Sequence, residues 1–105
     1  MNIIELSKLS GEFRGKGVKA LKINSEFKSQ SVNIIIEPNG ELPLHTTPVN
    51  VIFYVIKGTG LLEIGSEKKE VKEGTFIDSP ANIPHGWSNP SQNEILSVLV
   101  IKLYN

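Results

Sequence analysis

The sequence predicts an all-β protein, and three observations lead there. Short runs of β-branched and aromatic residues recur at intervals of about 8–12 residues, the rhythm of a barrel or sandwich. Turn signals built on Gly, Pro and Asn separate the runs. Nothing holds a helical period: Leu6 and Leu9 fit one helical turn, but Gly11, Gly15 and Gly17 stop it. The chain has 105 residues, which suits one domain over 1–105. With 39% hydrophobic and 21% charged residues it can bury a modest core, as a soluble globular domain does.

Residues 1–17 are expected to form an N-terminal strand or turn segment against the main body. Val18–Ile23 alternates partly and reads as a strand, and 25–31 as a polar turn carrying Phe27. Val32–Glu37 is β-branched and ends at Pro38, a strand. In Pro38-Asn39-Gly40 the proline presets φ and its successors accept positive φ, so the chain turns. Val51–Ile56 is apolar on both faces, which predicts a strand buried in the core or between subunits. Lys57-Gly58-Thr59-Gly60 reads as a tight turn, Leu61–Ile64 as a strand, and Gly65–Lys68 as a turn. Glu67, Lys68, Lys69 and Glu70 look like a solvated hairpin tip. After the Glu73-Gly74 turn come a short strand at Phe76-Ile77 and a loop bracketed by Pro80 and Pro84. His85–Ser88 reopens a strand, 89–93 turns, and Ile95–Leu103 is a long final strand. The pattern amounts to nine or ten strands and by itself does not choose between barrel, sandwich and jelly roll.

Lys+Arg and Asp+Glu both number 11, so no charge excess points to nucleic acid or an anionic membrane as partner. The absence of cysteine excludes disulfides, thiolate metal sites and a cysteine nucleophile. The N-terminus has an acid inside its apolar run and no basic leader, which argues against a signal peptide. No apolar run approaches the roughly 20 residues that cross a bilayer. The default expectation is a cytoplasmic protein.

The chemistry is concentrated between residues 38 and 89, where both histidines lie. Imidazole serves as a neutral metal ligand and as a base near pH 7. Around His85 the spacing is Gly74, five residues, Pro80, one residue, Asn82, two residues, His85, three residues, Asn89. Around His45 stand Gly40, Thr47, Val51 and the ending Tyr54-Val55-Ile56-Lys57-Gly58-Thr59-Gly60.

On these motifs the chain resembles the cupin family. The family's second motif is matched at every spacing, with Asn82 replacing its second Gly; Asn tolerates positive φ better than most residues. In the first motif His45 matches the first His, Thr47 stands at the second His, and Val51 stands at the Glu. Gly40 lies one residue closer to the histidine than in the family. The resemblance implies a double-stranded β-helix, or jelly-roll barrel, with both motifs in 38–89.

In metal-dependent members of the family those two His, the Glu and the later His hold one divalent ion. The cofactor implied is therefore zinc, nickel, iron or manganese, on His45 and His85. Two neutral imidazoles alone leave the ion's charge uncompensated, so a third ligand has to come from Asp78, Glu63, Glu41, Asn89 or water. The pocket expected in the barrel mouth is lined by His45, Thr47, Val51, Phe53, His85 and Trp87. Trp87 shares the face of His85 at strand spacing, as a cavity wall or as core. Asn89 is expected to form a turn. Tyr54 points the opposite way, toward a dimer contact, and outer strands such as Ile95–Leu103 or Val32–Ile36 would pair two copies.

Three functions follow. The first is a small-molecule-binding protein with a degenerate metal site, its ligand a sugar or an acid. The second is an enzyme, either a metal-dependent oxygenase or isomerase or a metal-free sugar epimerase. Its base would be His45 or His85, oriented by Asp78 or Glu63. The third is a dimer whose pocket has been filled by packing.

Overall fold

A computed structural model describes residues 1–27 and 29–104. The described residues form ten strands in two sheets, after a 3-10 turn at Leu6–Lys8. The strands are β1 (Glu12–Phe13), β2 (Val18–Ile23), β3 (Ser29–Ile36), β4 (Glu41–His45), β5 (Val51–Lys57), β6 (Thr59–Ile64), β7 (Glu67–Lys72), β8 (Phe76–Ser79), β9 (His85–Ser88) and β10 (Leu96–Leu103). The larger sheet runs β1-β2-β3-β10-β5-β8 and the smaller runs β4-β9-β6-β7. Neighbouring strands are antiparallel throughout. This is the jelly-roll arrangement. Among the described residues, no helix is long and apolar enough to cross a membrane.

The period of two along each strand decides which side chains face the partner sheet. In the larger sheet the registers stack the inward residues into rows. Ala20, Ile34, Val98 and Val55 form one apolar row. Next to it runs a row of Lys22, Val32, Val100, Phe53 and Ile77. The outermost row is Gln30, Lys102, Val51 and Ser79. From the smaller sheet, Leu62 and Trp87 complete the core. The interior is thus apolar at depth and polar at one end.

The structure corrects the reading at four places. Glu41–His45, not read as a strand, is β4. It contains Pro43, which lacks a ladder N–H, and it is an edge strand of the smaller sheet, where that lack is tolerated. The supposed hairpin tip at Glu67–Glu70 belongs to β7, the other edge of that sheet, paired along its whole length with β6. Its charges suit an edge, where they deter pairing with another chain. Ser29–Ser31 lie in β3 rather than in the polar turn, and Thr59-Gly60 already belong to β6. Lys28, within the turn expected at 25–31, lies outside the described residues.

The turn around Asn82 follows expectation. Its φ is 65°, the left-handed region that Asn tolerates and for which the family motif supplies Gly. Its N–H donates to the Thr47 carbonyl at 2.8 Å, and Ala81 N–H donates to Asn50 Oδ1 at 2.9 Å. These bonds stitch the 46–50 loop to the 80–84 loop.

Candidate functional site

β4 and β9 bring the two histidines together, and a bulge makes this possible. Leu42 pairs with Trp87 and His45 with His85, so three steps along β4 match two along β9. The extra residue lets Leu42 and His45 face inward although their separation is odd. The bulged backbone passes close to Gly86: a Cβ there would stand 3.0 Å from the Leu42 carbonyl oxygen and from the Leu44 nitrogen.

The rings of His45 and His85 lie edge to face with centroids 4.7 Å apart. His85 continues onto Phe53 at 5.1 Å, and Phe53 onto Trp87 at 5.4 Å. His85 is 3% exposed, and both its ring nitrogens are hydrogen-bonded. Nδ1 meets Ser79 Oγ at 2.8 Å and Nε2 meets Thr47 Oγ1 at 3.1 Å. A hydroxyl can donate or accept, so the pair of hydroxyls satisfies a neutral imidazole in either tautomer. Burial holds the pKa of His85 down to about 4, with the charges of His45 and Lys102 acting in the same direction. His45 is exposed, and its Nδ1–H donates to the Pro43 carbonyl at 2.9 Å. A carbonyl only accepts, so the neutral ring carries its proton on Nδ1 and its lone pair on Nε2.

A cavity of about 300 Å³ opens beside the pair. His45, Thr47, Val51, Phe53 and His85 all line it, and Trp87 does not. Trp87 does share the face of His85, but two residues along β9 is one layer deeper, and there it is core, 3% exposed. Its Nε1–H has no hydrogen-bond partner among the described residues. Ala20, Val32, Ile34 and Val100 supply the apolar wall, and Arg14, Lys22, Gln30 and Lys102 supply polar groups.

The expected third ligands lie elsewhere. Glu41 pairs with Lys16 and Glu63 with Lys68. Asp78 alternates with the inward-facing Ile77 and Ser79 and does not line the cavity. Buried Asn89 is a clamp: its Nδ2 donates to the Ile36 and Glu94 carbonyls, and its Oδ1 accepts from Ser91 N–H. Among the described residues no three His, Asp or Glu side chains come together as a metal would need, and no carboxylate lines the cavity. Sequence reasoning missed Ser79 and the cationic group. Ser79 was findable, since it sits two residues beyond Ile77 on a short strand.

Residues 32–102 match a family described as the cupin domain. An uncharacterized protein of Aquifex aeolicus (strain VF5) is 27% identical over 88 residues, covering 84% of this chain and 72% of that protein. Among solved structures, an RmlC-like cupin from Shewanella frigidimarina NCIMB 400 superposes with a TM-score of 0.85 at 17% identity, over 97% of this chain and 89% of the other. A predicted oxalate decarboxylase from Thermotoga maritima gives 0.84 at 22% identity, over 98% of this chain and 100% of the other.

Proposed function

The chain belongs to the cupin domain family, and from that premise we propose that it is a metal-independent member that binds a small organic molecule in the barrel mouth. The observation that carries this reading is the bonding of His85. Its two nitrogens are taken by Ser79 and Thr47, and Thr47 stands where the family's second histidine would be. A divalent ion would have to displace the Thr47 hydroxyl and would meet two neutral imidazoles with no carboxylate to compensate its charge. The donor set does not fit such an ion. The open cavity, with an apolar wall and polar groups at one end, suits an organic ligand instead.

The test is metal content in protein purified without an affinity tag, beside His45→Ala and His85→Ala. Substoichiometric metal, unchanged in both variants, is the expected result. One tightly held ion per chain that both substitutions remove would overturn the reading.

A second reading rests on His45 alone. With Nδ1–H fixed on the Pro43 carbonyl, Nε2 has a lone pair beside the cavity, as a metal-free base requires. For a bound ligand with an acidic C–H, deuterium exchange followed by NMR would then be lost in His45→Gln. Exchange that survives the substitution would refute this reading.

A further inference from the structure

The cavity carries charge of one sign only. Arg14, Lys22 and Lys102 line it, and among the described residues no Asp or Glu does. This is unexpected in a chain with equal numbers of acids and bases. The register explains how the lysines come together. β2, β3 and β10 are neighbours, and their inward faces change from Val and Ile at depth to Lys22, Gln30 and Lys102 at one end. These residues are distant in sequence, so only strand pairing makes them a group.

Lys22 is exposed at the rim of the cavity, whereas Lys102 is set deeper. Lys102 is partly buried, and it sits in the outermost inward row between Gln30 and Val51. Neither Lys22 nor Lys102 is in an ion pair among the described residues, whereas Arg14 lies 3.6 Å from Glu12. Lys102 also helps to keep His85 uncharged, so its charge is felt at the histidine end of the cavity.

We propose that the cavity is a site for a small amphipathic carboxylate, its anionic head held by Lys102 and Lys22 and its apolar body lying against Val32, Val100 and Phe53. This rests on the binding reading above and names its ligand class. The volume of about 300 Å³ equals the liquid volume of about ten waters. It therefore suits a ligand with about ten non-hydrogen atoms, the size of octanoate.

The experiment is calorimetric titration of the intact chain with octanoate, 1-octanol and octylamine, which share a tail and differ in head charge. Octanoate is expected to bind at least about tenfold more tightly than octanol, since hydrogen bonds to charged groups are worth that much. Octylamine should bind least. Lys102→Met and Lys22→Met each lower octanoate affinity about tenfold and leave octanol unchanged, with thermal melts verifying the fold. Octanol or octylamine binding as tightly as octanoate, or octanoate affinity surviving both substitutions, overturns the carboxylate assignment and leaves the pocket reading standing. If none of the three binds at millimolar concentration, the amphipathic-carboxylate assignment fails, while the metal measurement above tests the metal-independent reading separately.

Discussion

Acidification should destabilise this protein through His85. In the folded chain this imidazole is buried and protonates only near pH 4; unfolded, it protonates near 6.5. Between those values the unfolded state binds the extra proton, so stability rises with pH across the window and is fully present only above about 6.5. The whole interval corresponds to about 3 kcal/mol, and about 2 kcal/mol of it should be lost by pH 5. That is a large part of the stability of a small domain, which is about 5–15 kcal/mol. Urea unfolding at pH 7.5 and pH 5.0 measures it, with His85→Gln as the non-titrating control. Glutamine costs stability at both pH values, so the comparison is between the two pH-induced differences. His45→Gln should leave most of the pH dependence in place, because burial is the main cause of the depression. An equal loss of stability in wild type and His85→Gln would refute the reasoning.

Other substitutions probe the remaining arguments. Thr47→His with Val51→Glu restores the family's donor pattern at two cavity-lining positions, so the double variant should retain stoichiometric zinc or nickel by mass spectrometry. Asn82→Ala should cost about 1–2 kcal/mol, because its φ of 65° is the left-handed region. Asn82→Gly should be near neutral in the same urea assay. Dimer formation is also expected. The outward face of β5 and β10 carries Ile52, Tyr54, Leu99 and Ile101, with Tyr54 39% exposed and Phe76 on β8 60% exposed beside them. Light scattering should give twice the chain mass for wild type and the single-chain mass for a Tyr54→Lys, Leu99→Lys variant.

The sequence was most readable where burial and propensity agree. β2, β5 and β10 are rich in Val, Ile and Leu, and these residues fit a pleated, half-buried surface. β7 was obscured because an edge strand has little to bury: Val71 is its sole aliphatic residue, and the other positions are charged. β4 was obscured by Pro43 and by a bulge, which breaks the period of two that identifies a strand.

In the site, His45 and His85 were legible because the motifs carry them. Thr47, Val51 and Phe53 followed from their spacing, and all line the cavity. For Trp87 the face was legible but the choice between cavity wall and core was open, since alternation reports sidedness and says nothing of the layer; the structure places it in the core. Lys22 and Lys102 could not be found from composition. Each looks like a solvated cation until the registers of β2, β3 and β10 are known.

The odd residue in β4 has a genetic corollary. Amino-acid replacements between Leu42 and His45 alter side chains but keep the count, and the ladder to β9 depends on the count. Loss of a single codon there would leave Leu42 and His45 two apart, a separation that a regular ladder seats on one face, so both side chains would stay inward without the bulge. A frame-preserving deletion of the extra residue is thus a change of length that keeps both imidazoles at the mouth of the barrel.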